Sequence, residues 1–323
     1  MNPVDDNLVH RLRAYVLLCL VAAPAAGDVL VSTYTDEDNY QFQRTGIPDL
    51  DQERVGLVNL GACHCVPTCT MNLLIYAANH GFPNVAPGPG DWSGANLYLE
   101  ATQAISDLGQ EMAICYGGGV EGECDPTVCD FNGDCVLTCG SRSSELATIG
   151  LLDWLGGEAD KFNVSYYLAA GNMAPRLHHL AQVSVLAGAP LMRVNYGRYS
   201  VVAFTPNNEP IYRRGGGHAM SFVGCQSSGT AKTLIVRNPG ASEVPQPDLF
   251  GQSPFANTEF SVNEQEIRVT IQSGGVIVSW DTRMMSSVGA SGGQLQMLDV
   301  VAWIQPKIRV QLHQLERHRD PHR

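Results

Sequence analysis

Apolar residues recur at two different spacings along this chain, and the change of spacing divides it into two parts. In the first part they return every three or four residues, which indicates amphipathic helices. In the second part they alternate with polar residues in short runs bounded by Gly, Pro and Asn, which indicates strands. The predicted helices span 68–79, 96–108, 144–154 and 174–187, and the predicted strands span 191–196, 200–204, 218–225, 233–237, 267–271, 276–280 and 298–304.

The order of these elements predicts the fold class. Helices come first and strands follow, which favours an α+β fold over an alternating α/β fold with a parallel sheet. Residues 28–60 are polar with few apolar runs, and we expect them to cover the surface of the domain. Residues 28–306 are therefore predicted to form one domain, and a basic, solvated tail follows at 307–323.

Composition indicates a folded chain and disfavours one class of partner, the nucleic acids. Hydrophobic residues make up 44% of the sequence and charged residues 16%, which is enough apolar material for a full core. The 32 acidic residues outnumber the 20 basic ones and give a net charge of −12. A chain this acidic has no overall attraction for phosphate backbones, so we expect no nucleic-acid partner.

The first 27 residues have the pattern of an export signal. Arg11 and Arg13 precede an apolar run at 14–23, and small residues at 24–27 suit cleavage by a signal peptidase. The apolar run is too short to span a membrane, and no later run is long enough. The sequence therefore predicts a secreted or periplasmic protein that begins at Asp28 and has no membrane span after cleavage.

The cysteines are distributed as expected for an exported protein. Five of the ten lie within 115–139, and such a density indicates a loop stapled by disulfides. Loss of Cys19 with the signal leaves nine, so at least one thiol has no partner if the others pair internally. If Cys65 is that thiol, the other eight can form four disulfides. A zinc site at 63–65 is the alternative, although the paired CxxC knuckles of structural zinc sites are missing.

A cysteine at the start of the first predicted helix is the candidate nucleophile. Residues 65–69 read Cys-Val-Pro-Thr-Cys, at the point where a loop enters that helix. The N–H groups and the dipole at a helix N-terminus lower the pKa of a thiol, and the thiolate is its reactive form. Cys65 is best placed for this role, Cys69 and Cys63 are alternatives, and a structural role for all three also remains open.

Two further features complete a candidate constellation. Glycines at 215–217 lead into the strand that begins with His218, and such a glycine run lets a ligand approach the backbone closely. If strands 218–225 and 233–237 form a hairpin, His218 and Asn238 lie at the same end. A Cys–His pair whose imidazole is oriented by Asn is a known variant of the catalytic triad.

These motifs together resemble the papain-like cysteine peptidases of the peptidase C39-like type. That family usually has Asp-Cys-Gly-Pro at the start of the helix, and a strand His followed by Asp-Pro. Here His64 and Val66 flank the cysteine, and Asn238 precedes the proline. The resemblance covers roughly residues 50–80 and 210–240. It implies a helical lobe, with the nucleophile on its helix, packed on an antiparallel sheet that carries the histidine.

The resemblance also implies a role for each catalytic residue. Cys65 would be the nucleophile, His218 the general base and Asn238 the residue that orients the imidazole. Asn59 lies six residues before the nucleophile, where the family has a Gln that donates to the oxyanion. Its side chain is one methylene shorter than that of Gln, and Gln52 is a second candidate, farther from the nucleophile in sequence. Separately, Gly216 and Gly217 would border the cleft and leave backbone free to pair with an extended peptide.

The sequence therefore predicts an exported cysteine hydrolase that cleaves peptide bonds. Its substrate would be a peptide or a protein, and it would need no metal and no cofactor. The departures at His64 and Val66 keep two alternatives open. One is an amidase or a transglutaminase-like acyl transferase, and the other is a non-catalytic exported binding protein on the same fold.

Overall fold

The computed structural model describes residues 28–90, 97–115, 140–141, 144–169, 174–240, 257–273 and 276–307. The predicted export signal, the basic tail after residue 307 and nearly all of the cysteine-rich loop lie outside these residues. Among the described residues, no helix combines the length and the apolar character needed to cross a bilayer.

Four α-helices lie in the described part of the chain, close to where the periodicity predicts them. They are α1 (Cys65–Asn79), α2 (Tyr98–Glu111), α3 (Ser144–Leu155) and α4 (Leu177–Leu186). Helix α1 is buried from Val66 to Ala78, as expected for a helix that is apolar on nearly every side. Pro67 lies in its first turn, where a missing N–H breaks no helical hydrogen bond.

Strands occupy more of the chain than the apolar runs predict. They are β1 (Val29–Asp36), β2 (Asn39–Arg44), β3 (Ile114–Cys115), β4 (Gly140–Ser141), β5 (Phe162–Leu168), β6 (Leu191–Phe204), β7 (Pro210–Ser228), β8 (Ala231–Arg237), β9 (Thr258–Ser273), β10 (Val276–Ser291) and β11 (Gln294–Pro306). All except β3 and β4 belong to one sheet, and its pairs are antiparallel apart from a short parallel contact between β7 and β9.

The last strand in the order of this sheet also pairs with a strand near the middle of that order. The order runs β1-β2-β7-β6-β11-β10-β9-β8, with β5 beside β11, and β8 also pairs with β7. Strand β7 can hold so many partners because it is 19 residues long. One of its edges pairs with β6 and then β2, and the other pairs with β9 at 211–212 and with β8 at 221–228.

The predicted papain-like α+β fold, a helical lobe packed on a sheet, is wrong. Strand accounts for 48% of the structure and helix for 28%, and a nine-stranded sheet dominates it. Strands β1 and β2 come before all four helices, and β5 lies between α3 and α4. The helices therefore do not form a lobe of their own. The prediction failed because residues 28–60 were expected only to cover the surface and 162–168 were not recognised as a strand. In fact β2 alternates the buried side chains of Tyr40 and Phe42 with polar ones and pairs within the sheet.

Helices cover both faces of the sheet instead. Successive residues of a strand point to opposite faces. On β7, Ala219 packs in the core formed with α1, α2 and α3, whereas Met220 packs in the core that contains Leu177 and Leu180 of α4. This arrangement buries α1 against one face of β7 and places its first residue at the edge of that strand.

Candidate active site

Helix α1 holds Cys65 beside strand β7. The Oγ of Ser221 donates a hydrogen bond of 2.9 Å to the carbonyl oxygen of Cys69 and ties the first turns of the helix to the strand. Cys65 is the first residue of α1 and is partly exposed, while the next residues of the helix are buried. Its thiol is free. The sulfur also accepts a hydrogen bond from the backbone N–H of Ala219 on β7.

Cys65, His218 and Asn238 form one hydrogen-bonded series. Cys65 and His218 share a side-chain hydrogen bond, and Nε2 of His218 lies 2.7 Å from Oδ1 of Asn238. The same Oδ1 accepts a 3.1 Å hydrogen bond from the N–H of Gly240, which fixes the orientation of the amide. Since this oxygen accepts, Nε2 carries a proton and Nδ1 is the nitrogen left for the sulfur.

The expected hairpin explains how His218 and Asn238 meet. Strands β7 and β8 pair antiparallel, with Ser221 opposite Arg237. His218 therefore lies three residues before this pair, and Asn238 follows it directly. The ring of Tyr196 on β6 packs 5.7 Å from the imidazole, centroid to centroid, and supports it from the neighbouring strand.

Electrostatics favour a thiolate and an imidazolium in this pair. Burial opposes ionisation of Cys65, but the hydrogen bond and charge of His218, the N–H of Ala219 and the charge of Arg193 bring its pKa below the ordinary 9.0. Burial also disfavours a charged His218. Its hydrogen bond to Cys65, the sulfur's charge and the bond to Asn238 nevertheless raise its pKa above 6.5, against the opposing charge of Arg198. The proton is therefore stabilised on the ring.

The other described cysteines lack this activation. Cys69 is 0% exposed, and its Sγ donates to the carbonyl oxygen of Val66 at 3.3 Å. Burial raises the pKa of Cys69 and of Cys225 far above the ordinary thiol value, so both stay protonated. Cys63 is disulfide-bonded. The four disulfides that the cysteine count allowed do not all form, because Cys69 and Cys225 are also free.

His64, which stands where the resembled family has Asp, points into the protein. It is 0% exposed, and burial lowers its pKa to about 4, although the carbonyl of Gly61 acts in the opposite direction. His64 is therefore a neutral core residue at neutral pH. Among the described residues, no group of three or more His, Cys, Asp or Glu side chains could hold a metal ion.

The two candidate oxyanion donors occupy different surroundings. Asn59 is exposed and lies in a short 3₁₀ segment (Val58–Gly61) with a positive φ of 50°. Gln52 is 6% exposed, and its backbone N–H donates to the carbonyl oxygen of Pro239 at 2.8 Å, next to Asn238. A Cβ built on Gly240 would lie 3.2 Å from Cε1 of His218 and 3.7 Å from Cδ of Gln52. The side chain of Gln52 therefore borders the same space as the imidazole, and its Nε2 also donates a long hydrogen bond of 3.5 Å to the carbonyl oxygen of Ala62.

The glycines before His218 lie on an open stretch of β7. Gly216 is partly exposed, has a φ of +126°, and a Cβ there would meet no atom within 4 Å. At Gly217, which is exposed, a Cβ would collide with the carbonyl oxygen of Tyr196. Glycine is therefore required at 217 by the close approach of β6 and at 216 by the backbone conformation.

No protein-family model matches this chain, and no curated protein is significantly similar to it in sequence.

Two residues of this region were not part of the main sequence prediction. Arg193 was missed, although a charged residue inside the apolar run Leu-Met-Arg-Val at 191–194 is a signal of an unusual buried group. Gln52 was only a secondary candidate, because the loop 45–53 carries no periodicity that indicates where it packs.

Proposed function

We propose that this chain is a cysteine hydrolase that cleaves peptide bonds. The observation that carries the proposal is the hydrogen-bonded series in which the free, partly exposed thiol of Cys65 meets His218, and His218 meets Asn238. A nucleophile, a base and a residue that orients the base are the parts that thiol catalysis needs. The buried, protonated thiols elsewhere in the chain have no such partners among the described residues.

The first half of the reaction forms a thioester. The thiolate of Cys65 attacks the carbonyl carbon of the peptide bond and forms a C–S bond, and the carbonyl oxygen becomes an oxyanion. The imidazolium of His218 then gives its proton to the nitrogen of the leaving amine as the C–N bond breaks. Asn238 holds the ring through Nε2, so that Nδ1 stays directed at the sulfur throughout.

The second half releases the acyl group. His218, now neutral, takes a proton from a water molecule, which attacks the thioester carbonyl. The C–S bond breaks, the product leaves as a carboxylic acid, and the sulfur returns to the thiolate with the proton on His218. Throughout, the oxyanion is stabilised by N–H groups at the start of α1 and, in our proposal, by the amide of Gln52.

A free edge of β7 supports an extended peptide as substrate. On the side that pairs with β9 at 211–212 and with β8 from 221, no described strand pairs with 213–220. The N–H of Ala219 points out of this edge to the sulfur of Cys65. Because N–H groups alternate between the two edges of a strand, the N–H and the carbonyl of Gly217 share that edge. A peptide added there as a strand would lead to the sulfur.

Alkylation kinetics test the reactive thiol. We expect iodoacetamide to modify Cys65 far faster than Cys69 or Cys225, because its thiolate is stabilised and partly exposed. The measurement is the rate of modification at each cysteine by peptide mapping between pH 4 and 9. If Cys65 reacts no faster than the buried pair, the proposed nucleophile is wrong.

The products distinguish this proposal from its alternatives. Incubation with a mixed peptide library, followed by mass spectrometry, should yield new peptide termini with wild type and none with Cys65→Ala. Incorporation of an added amine in place of hydrolysis would instead indicate an acyl transferase. A fast-labelling Cys65 with neither product would overturn the peptidase proposal and favour a binding protein.

The contribution of Gln52 can be measured separately. We expect Gln52→Ala to lower kcat by about 10²- to 10³-fold with little change in KM, because an oxyanion donor acts on the transition state. Asn59→Ala is the matched control and should have little effect, since Asn59 is exposed. If Asn59→Ala lowers kcat and Gln52→Ala does not, Asn59 is the oxyanion donor.

Export is part of the proposal. The disulfide of Cys63 supports an oxidising compartment, because cytosolic reductants keep most thiols reduced. With Cys65, Cys69 and Cys225 free, six cysteines of the proposed mature chain are left, namely Cys63 and the five within 115–139. Six is an even number, as internal pairing requires.

A further inference from the structure

Two exposed arginines lie beside the glycines of β7 and have no anionic partner in the described part of the chain. They are Arg198 of β6 and Arg213 of β7, and neither side chain forms an ion pair or a hydrogen bond with another described residue. By contrast, Arg268 on the neighbouring β9 is paired with Glu209. In a chain with a net charge of −12, two uncompensated cations mark a place that attracts an anion.

The two arginines share one face of the sheet, because the opposite face of this stretch is already filled. Tyr199 and Arg214 pair across β6 and β7, and both side chains bind the buried carboxylate of Asp299. Successive residues of a strand point to opposite faces. Arg198 precedes Tyr199 and Arg213 precedes Arg214, so both arginines point away from Asp299 and toward solvent.

The imidazole of His218 lies on the same face as the arginines. His218 pairs with Tyr196 on β6, and the centroids of their rings are 5.7 Å apart. Tyr196 comes two residues before Arg198 on the same strand, so their side chains share a face. The charge of Arg198 opposes the rise in the pKa of His218, which agrees with this placement. The arginines therefore belong to the surface that adjoins the candidate site.

Glycines leave the surface between Arg198 and the free edge of β7 without side chains. Residues 215–217 are all glycine, and a Cβ on Gly215 or Gly216 would meet no atom within 4 Å. Strands lie about 4.8 Å apart, so a peptide strand on that edge would lie about 10 Å from β6, a distance that a long side chain largely spans. Arg213 is nearer, since directly opposed side chains are about 5 Å apart.

We propose that the extended peptide bound at this edge is acidic, and that Arg198 and Arg213 bind its carboxylate side chains. This inference rests on the proposed function, since it uses the same edge of β7 as the substrate site. A guanidinium matches the two oxygens of a carboxylate, so Asp and Glu are favoured over Asn and Gln. Side chains of the peptide alternate between faces, so the acidic residues occupy alternate positions. The two arginines determine specificity and take no part in bond breaking.

Peptide binding to the full-length Cys65→Ala chain tests the inference without turnover. The probes are two fluorescent peptide pools of mixed sequence, one with Glu at alternate positions and one with Gln at the same positions. Anisotropy should give a Kd about fivefold lower for the Glu pool at low salt, and the difference should shrink in about 0.5 M NaCl. The overall charge of −12 acts against this preference, so non-specific attraction cannot produce it. Equal Kd values at low salt would overturn the inference.

Charge reversal separates a role in specificity from a structural role. In the Cys65→Ala chain, we expect Arg198→Glu and Arg213→Glu each to weaken the preference for Glu. The double reversal should instead favour a pool with Lys at those positions. Lys307→Glu is the matched control, because Lys307 is exposed and follows the opposite end of β11 from Gln296, which pairs with Arg198. A folded double variant with the wild-type preference, or an equal loss in Lys307→Glu, would contradict the assignment.

Turnover by wild type keeps the two proposals distinguishable. Peptides with Glu should be cleaved with a lower KM than their Gln counterparts and a similar kcat, because the carboxylates are bound equally in the ground state and the transition state. Equal kcat/KM for both would overturn the acidic preference and leave the proposed function standing. Tighter binding of the Glu pool without cleavage of any peptide would do the reverse.

Discussion

Replacing Cys65 with alanine is expected to abolish peptide hydrolysis and to leave the fold intact. The substitution removes the only sulfur that meets an imidazole among the described residues. By comparison with other covalent triads, the loss of kcat should be about 10⁴-fold or more. The side chain is partly exposed and only a single sulfur atom is removed, so the melting temperature should change far less than activity.

Cys225→Ala provides the matched control for that variant. Cys225 is also a free thiol, but it is fully buried on β7 and its burial keeps it protonated. We expect this variant to lose stability through a small cavity and to keep its kcat/KM. If Cys65→Ala retained more than a tenth of wild-type kcat/KM while folded, the nucleophile would have to be sought elsewhere.

The second large effect is expected for His218→Ala. Loss of the imidazole removes both the base and the proton donor to the leaving amine, so kcat should fall by about 10³-fold or more. The pKa of His218 is raised, so in wild type the imidazolium is present below that pKa and is lost as pH rises through it. The alkaline limb of the pH–rate profile should therefore disappear in any residual activity of His218→Ala.

His80→Ala is the control for general effects of losing a histidine. His80 follows α1 and is hydrogen-bonded to Asp28 and to the carbonyl of Tyr76, away from the sulfur. The His80→Ala variant should be less stable than wild type, but its pH–rate profile should keep both the acidic and the alkaline limb. Near wild-type turnover in His218→Ala would show that this histidine is structural, whatever Cys65 does.

The helices could be predicted more closely than the strands. Helix α3 agrees with its prediction to within one residue, because its apolar positions are regular and uninterrupted. Helix α1 begins at Cys65, three residues before the predicted start, because the first turn of a helix accepts a proline such as Pro67. Cys65 thus lies in the first turn itself, where the N–H groups that stabilise a thiolate are nearest.

Strand lengths were the main failure. Strand β7 was predicted over 218–225 and spans Pro210–Ser228, because arginines and glycines at 213–217 interrupt the apolar alternation. Pairing with β6 nevertheless continues through a bulge, since backbone hydrogen bonds do not depend on side chains. The interrupted stretch is the one that leads to His218, so the departure from the pattern coincides with the candidate site.

The site itself was partly accessible from sequence. The pairing of β7 with β8 could be expected from two strand patterns with a short gap, and it brings His218 to Asn238. The contact of Arg193 with Thr70 depends on how α1 packs across β6, two elements more than 100 residues apart, and no local pattern reports it. The position of Gln52 depends in the same way on its bond to Pro239.

The sequence separation of the paired strands bears on when the proposed Cys–His pair can form during synthesis and folding. Cys65 is made early in synthesis, whereas β7 and β8 emerge much later and must dock on α1 before His218 can reach it. Contacts of such long sequence separation form slowly. Until then the nascent chain carries an ordinary, weakly nucleophilic thiol. In the proposed hydrolase, the Cys–His pair would therefore form only after β7 and β8 have docked on α1.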